Sequence, residues 1–402
     1  MAPDGMPPAA LCAWTARLHL GRLGRLREQL ARADCGAGLF YDPINIRYAT
    51  GTTNMQVYAL HNPCRYTFVA TGGPVVLFEF KGCEHLAQGC PAVDEVREAV
   101  SWYHFAAGPR APELAQRWSA QILDLLRQHG GGSRRLAVDR LDPMGTHLLE
   151  AAGVEIVEGQ AVAHLARRIK TAEEIDALRH AVAVCQSGIR RMRAATRPGM
   201  SEQEIWAILH QTNIEQGGEW IETRLLSSGP RTNPWYQEAG GRRVEAGDMI
   251  SLDSDLVGPD GYSADISRSW TVGDGRPRDE QRRLYALAHE QVCRNAALFR
   301  PGCSFFEIAD LAWRLPPPYA EYEQPAIAHG IGLCNEFPLV MHRGRQDDTG
   351  HDGLIETGMV LCVESYVGVP GGREGVKLEQ QILVTAEGPE LLSDLAFEER
   401  LL

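Results

Sequence analysis

The sequence predicts an α/β domain followed by a second domain of α+β type. Three observations carry this. The chain has 402 residues, and at ~150 residues per domain that length suggests two or three units. Up to residue 164 helix-like and strand-like segments alternate, the pattern of an α/β layer structure. From residue 165 onward long amphipathic helices and strand-rich stretches replace that alternation. The expected domains are therefore 1–164 and 165–402.

In the first domain Leu20, Leu23, Leu26 and Leu30 recur at helical spacing until Cys35-Gly36 stops the run. Gly38-Leu39-Phe40-Tyr41 reads as a short strand ended by Asp42-Pro43. Tyr66–Ala70 and Pro74–Phe80 read as strands about a Thr71-Gly72-Gly73 turn. Pro112–Gln128 reads as a helix with proline near its start, and Gly130-Gly131-Gly132 breaks it before a strand at Leu136-Ala137-Val138.

In the second domain Thr171 and Glu174 have the spacing of a capping box. Ile175, Leu178, Val182, Cys185, Ile189 and Met192 then form an apolar helical stripe that Pro198-Gly199 ends. Further helices are expected near 201–216, 279–298 and 305–315, with strands between and after them.

Lysine and arginine total 40 against 52 acidic residues, a net charge of −12, which disfavours nucleic acid as a partner. Ten scattered cysteines form no CxxC pair, so a reduced, cytoplasmic protein is expected. The first twenty residues lack a basic segment followed by an apolar run, so no secretory signal is expected. No apolar stretch reaches the ~18 residues of a membrane span.

The informative stretch is DSDLVGPDGYSAD, residues 253–265. Apolar strand-like segments flank it, and Gly258-Pro259-Asp260-Gly261 is turn chemistry, so 249–272 reads as one hairpin. Residues two apart on a strand share a face, so Asp253 and Asp255 would point together, with Asp265 across the turn. Carboxylates this close must share protons or bind metal. His329 lies in a glycine-flanked strand, and Glu364 and Glu379 interrupt apolar strands, where an unpaired charge would cost several kcal/mol. These residues suggest five carboxylates and one imidazole around one or two divalent cations. Such an oxygen-rich set suits manganese or iron better than a structural thiolate zinc site.

The order Asp, Asp, His, Glu, Glu resembles the ligand set of the pita-bread metallopeptidases, the group of methionine aminopeptidase, aminopeptidase P, prolidase and creatinase. Asp265-Ile266-Ser267-Arg268-Ser269 is similar to that family's D-I-[ST]-R-[ST] stretch, and Arg168-Ile169-Lys170-Thr171 with Glu174 to its domain-opening helix. The resemblance implies a pita-bread fold for residues 165–402 after a creatinase-like N-terminal domain. Two departures stand out. The family's peptidases carry a histidine where this chain has Asn233-Pro234-Trp235-Tyr236-Gln237, and a second one where it has Glu336. Loss of those oxyanion-holding, proton-shuttling groups argues against peptide hydrolysis.

The DddP-type dimethylsulfoniopropionate lyases within this family resemble the chain more closely. The likeness lies in the Asp253-Ser254-Asp255 doublet and in steps of 2, 10, 64, 35 and 15 residues from Asp253 through Asp255, Asp265, His329 and Glu364 to Glu379. It extends to Tyr41–Tyr48, Asn54–Val57 and Ser228–Trp235. It implies iron, with manganese or zinc as alternatives, a homodimer, and β-elimination from a small cationic carboxylate. It also implies an aspartate base at position 335, where this chain has Asn335. An amide takes no proton from carbon, so the base would be Glu336 or a solvent-derived group at the metal, unless the reaction differs or is lost. Trp235, Tyr236, Trp102 and Tyr103 are candidates to face the substrate cation, and Arg343 to meet its carboxylate. Asp347, Asp348, His351, His61, His104 and Cys334 are weaker candidates, for which solvated surface or burial is the simpler reading. An Xaa-Pro dipeptidase or other metallohydrolase, and a binder of onium compounds without turnover, remain the alternatives.

Overall fold

The computed structural model describes residues 8–402; the start of the segment read for a signal lies outside the described residues. The chain divides between Arg167 and Arg168, because the helix Gly159–Arg167 continues past position 164.

The first unit is built on a mixed six-stranded sheet: β1 (Ala37–Phe40), β2 (Tyr66–Ala70), β3 (Val75–Glu79), β4 (Glu95–Glu98), β5 (Arg135–Val138) and β6 (Glu155–Glu158), in the order β4-β3-β2-β1-β5-β6. The helix Ala111–His129 buries Ala115, Trp118, Ile122, Leu125 and Leu126, a 3,4 stripe, in the core. Asp42-Pro43 does more than end a strand. Asp42 accepts from the Ile44 N–H as N-cap, and Pro43 opens a helix to Thr50, a use of Pro at N1 that the sequence signals.

In the second unit the Thr171 capping box forms, and the helix Ala172–Ala195 buries the expected stripe except Ile175, which is half-buried. Ser201 and Glu204 make another such box at the helix Glu202–Glu215. The helix Asp279–Ala296 follows, and the next one, Phe305–Leu311, stops short of 315. Beyond it side chains take the backbone donors: Trp313 N–H donates to Asn295 Oδ1 (2.8 Å) and Leu315 N–H to Glu323 Oε1 (2.8 Å).

Three sheets carry this unit. β7 (Trp220–Ile221), β10 (Leu256–Val257) and β11 (Ser263–Ala264) form one, in the order β11-β10-β7. β8 (Leu226–Ser228), β9 (Met249–Leu252) and β12 (Arg268–Thr271) form the second, in the order β12-β9-β8. The third is antiparallel: β13 (Ala326–Ile331), β14 (Asn335–Met341), β15 (Val360–Val367), β16 (Val376–Thr385) and β17 (Gly388–Leu391), in the order β14-β13-β15-β16-β17. The segment 249–272 is therefore not one continuous hairpin. It leaves one three-stranded sheet and enters the other at 253–255, and it returns at 265–267. The reason is local: Asp255 has φ 37°, a left-handed backbone that cannot continue a strand.

Candidate metal centre

The double passage between sheets brings the aspartates together. Asp253 and Asp255 lie in one crossing segment and Asp265 in the other, and single carboxylate oxygens of the three lie within 4.8 Å of one another. Pleat alternation is not what gathers them, since the backbone turns at Asp255. Ser254 ties the two crossings: its hydroxyl donates to Ala264 O (3.0 Å) and accepts from Ile266 N–H (2.9 Å).

The antiparallel sheet supplies the other candidate ligands. His329 on β13 pairs with Cys362 on β15, and Glu364 on β15 pairs with Glu379 on β16. His329 Nε2 stands 3.7 Å from Asp265 Oδ2 and 3.4 Å from Glu379 Oε1. Its Nδ1 lies 3.1 Å from Gly330 O, so an N–H there leaves the Nε2 lone pair for a metal. Asp265, His329, Cys362 and Glu379 form a second group whose donor atoms lie within 4.8 Å, sharing Asp265 with the aspartate trio.

Two residues that the motif reading did not single out orient these carboxylates. The ammonium of Lys377, fully buried, donates to Glu364 Oε2 (2.8 Å) and Glu379 Oε2 (2.9 Å) and lies 3.6 Å from Asp253 Oδ2. The Ser267 hydroxyl sits 2.6 Å from Asp253 Oδ1 and 2.8 Å from Glu379 Oε2, and its one proton serves one of them at a time. Glu379 Oε2 is thereby engaged, while Oε1 is buried without a hydrogen-bond partner. An orphaned carboxylate oxygen facing an imidazole and two further donors fits a metal ligand. The signal for Lys377 was present in the sequence, as a lysine two residues before Glu379 on an apolar strand.

The electrostatics ask for positive charge. Burial and the neighbouring Asp253 raise Asp255 to about 7. Burial, Asp255 and Glu379 push Asp265 well above the usual carboxylate range. Burial likewise raises Glu379, against the pull of Lys377. Burial would also raise Asp253, but Lys377 and the Ser267 hydrogen bond bring it below its ordinary value. Burial disfavours charge on His329, yet Glu379 and Glu364 carry it up to about 9. Without a cation the cluster therefore holds protons.

The remaining candidates stand outside the two donor groups. Glu336 is not free to act as a base: it is buried, accepts from Lys170 Nζ at 2.5 Å and from Leu333 N–H at 3.1 Å. Asn335 opens β14 with its side chain exposed. Trp235 is buried and stacks on Tyr366 at 5.8 Å, and next to it Tyr236 is 66% exposed, with its hydroxyl 3.2 Å from Gln324 Nε2. Trp102 is a core residue of the first unit, packed on Trp118 at 5.1 Å; with Tyr103 it lines a cavity of about 420 Å³ there. Arg343 is tied up on the surface by Asp310 (3.3 Å) and Asp347 (3.1 Å) and lies over the Phe306 ring, so it is not a free carboxylate clamp. Asp348 is exposed, as are His61 and His104, while His351 stacks on Phe337. Cys334 is half-buried and its thiol donates to Asn335 O at 3.3 Å.

Residues 176–386 match metallopeptidase family M24, and residues 22–169 match the creatinase/prolidase N-terminal domain. The chain belongs to family M24. Among curated relatives it is 40% identical to a dimethylsulfoniopropionate lyase DddP of Roseovarius nubinhibens, over 96% of this chain and 88% of that one. It is 39% identical to the lyase of the same name from Roseobacter denitrificans, over 99% and 92%. An Xaa-Pro dipeptidase of Pyrococcus furiosus matches at 27% identity over 56% of this chain and 63% of its own length. Among solved structures, an Xaa-Pro dipeptidase from Bacillus anthracis superposes with a TM-score of 0.76 at 23% identity, covering 94% of this chain and 99% of that one. These likenesses establish the pita-bread architecture, and M24 membership implies divalent metal ions.

Two outcomes follow. Asp255 titrates near 7 in the metal-free fold against its ordinary 3.8, so between those values the folded state holds the extra proton. Stability of the metal-free protein should fall as pH rises through that window, while the stabilisation gained from added metal grows. Thermal melts with and without metal from about pH 5 to about pH 8 check both slopes. Glu336→Gln should cost about 3 kcal/mol by removing the carboxylate charge from the buried Lys170 ammonium, measured by urea unfolding.

Proposed function

We propose that this M24 protein is a metal-dependent carbon–sulfur lyase. Its substrate is dimethylsulfoniopropionate or a similar small onium carboxylate, and its products are dimethyl sulfide and acrylate. The observation that carries the reading is identity of 40% and 39% to two dimethylsulfoniopropionate lyases, spanning nearly the whole of each chain. The Asp253-Ser254-Asp255 doublet and its place in the cluster support it. We further propose iron as the metal, a homodimer as the assembly and the cytoplasm as the location.

Asp253, Asp255, Asp265, His329, Glu364 and Glu379 would hold the metal. When bound, it polarises the substrate carboxylate and makes the adjacent C–H more acidic. Loss of that proton leaves an electron pair that forms the C=C bond as the C–S bond breaks. The sulfur departs as a neutral thioether and needs no acid. The exposed ring of Tyr236, whose backbone is left-handed (φ 68°), offers an aromatic face for the cation, with Trp235 buried beside it against Tyr366. Asn233-Pro234-Trp235-Tyr236-Gln237 carries no histidine, which disfavours the hydrolase alternative.

One observation favours a second reading, a binder of onium compounds without turnover. Asn335 is an amide, and Glu336 is locked to Lys170, so neither residue offers a free base. Headspace dimethyl sulfide from purified protein, run with iron, manganese and zinc in parallel, decides between them. Release is expected with iron. Asn335→Asp should raise it by about a hundredfold or more, the usual contribution of a placed base. Substrate binding without gas in both proteins would establish the binder, and proline released from Xaa-Pro dipeptides would establish the hydrolase.

A further inference from the structure

We infer that the cavity of the first unit is a binding site for a small onium ion, a quaternary ammonium or tertiary sulfonium group on a short apolar body. Every residue that lines the cavity belongs to the first unit, while every candidate metal ligand belongs to the second. The inference stands apart from the lyase reading and does not need it.

The walls are aromatic and fixed. The cavity, of about 420 Å³, is in the size range of small-molecule sites. Three rings line it: Tyr41 and Trp102, both buried, and Tyr103, half-buried. Each is held by another ring. Tyr41 stacks on Tyr66 at 4.8 Å, Trp102 packs on Trp118 at 5.1 Å and Tyr103 stacks on Phe105 at 6.1 Å. Rings placed in advance lose little freedom when a ligand arrives. Their faces carry partial negative charge and attract a cation. Leu60 and Leu141 add apolar surface for the rest of the ligand.

The charge of the lining has the matching sign. Asp139 and Asp142 face one cation, Arg140, and that cation is engaged already: its Nε stands 3.4 Å from Asp42 Oδ2. The balance is negative. Burial raises Asp139 to about 6, as befits a carboxylate short of a counter-ion. Its oxygens are nevertheless fully bonded. Oδ1 accepts from the N–H of Tyr41 (2.7 Å) and Arg140 (2.6 Å), and Oδ2 from Asp42 N–H (2.9 Å) and Asn45 Nδ2 (2.9 Å). Asp142 Oδ1 accepts from the N–H of Met144 (2.9 Å) and Gly145 (3.2 Å) as N-cap of the helix Pro143–Ala151. These carboxylates attract positive charge while their acceptor sites are taken. A primary ammonium entering here would give up hydrogen bonds to water and recover few. An onium ion has no N–H to satisfy, so the site selects it.

The test measures binding, not turnover, on the full chain. Choline, titrated by calorimetry and ligand-observed nuclear magnetic resonance, should bind. Its neutral isostere 3,3-dimethylbutan-1-ol and the primary ammonium ethanolamine should each bind about tenfold more weakly. Trimethylsulfonium should displace choline, and the tighter of the two gives the head group of the natural ligand. Tyr103→Leu should weaken choline about fivefold, and Tyr103→Phe, which keeps the ring, should not. Asp142→Asn keeps a capping side chain and removes a charge, so it should weaken choline about twofold and flatten the dependence on salt. Tyr236→Ala, in the second unit, should leave choline binding as it is. Equal binding of the neutral isostere overturns the inference, as does absence of choline binding at millimolar concentration. Loss in Tyr236→Ala with retention in Tyr103→Leu overturns it too, since binding would then belong to the second unit. The comparison of choline with its isostere uses the wild type and stands whichever variants fold. Dimethyl sulfide release without choline binding at Tyr103 would remove this inference and leave the lyase reading, and the reverse result would do the opposite.

Discussion

Like charge held out of water is the constraint on which the second unit is organised. Five carboxylates meet where two small sheets and one large sheet converge, and all but Asp255 are buried. Such a group ionises only against positive charge, supplied here by Lys377 from within and by metal from outside. The fold prepares for it. β9 ends just before Asp253 and β12 begins just after Asp265, β13 and β15 carry His329 and Glu364, and β16 delivers Lys377 and Glu379 on one face.

Backbone irregularity is part of this preparation. A regular hairpin through 249–272 would alternate its side chains between two faces and fix them in one sheet. The left-handed turn at Asp255 breaks the pleat, and the Ser254 hydroxyl makes up hydrogen bonds that the interrupted ladder would have made. Asp255 gains from this a half-exposed place, with Thr223 Oγ1 donating to it at 2.6 Å.

The sequence made much of this legible, for reasons that differ by residue. Capping boxes and helical stripes are local, so the helix from Ala172 to Ala195 could be read from its own residues. The six acidic and imidazole side chains stood out because they interrupt apolar strands, where chance rarely leaves a charge. Glu336 was misjudged for a non-local reason: its partner Lys170 lies 166 residues away, and nothing in its own neighbourhood announces the pair. For Arg343 and Trp102 residue type alone suggests a role, while the fold shows each engaged with other side chains. A surface arginine finds nearby acids as easily as a substrate, and a tryptophan near another tryptophan packs. Lys377 is the opposite case: it stands two residues from Glu379 on an apolar strand, but a lysine has no place in a motif of metal-ligating residue types.

The comparison with hydrolases shows which part of the molecule carries chemical identity. A TM-score of 0.76 to a dipeptidase at 23% identity means that the fold can be kept while most side chains change. Metal and carboxylates polarise an amide carbonyl or a substrate carboxylate alike, so they do not separate hydrolysis from elimination. What separates them is who moves the proton. A hydrolase must protonate a leaving amine, and an eliminating enzyme must only take a proton from carbon and let a neutral thioether go. In this chain the positions that would serve the first task hold Asn233–Gln237 and a glutamate locked to lysine. The position that would serve the second holds an exposed amide, Asn335. The candidate ligand set is thus gathered in the fold, while the residues that would move protons around it are an amide and a paired glutamate. If the cluster serves an elimination, the side chain at position 335 is the one that would separate a receptor from a catalyst.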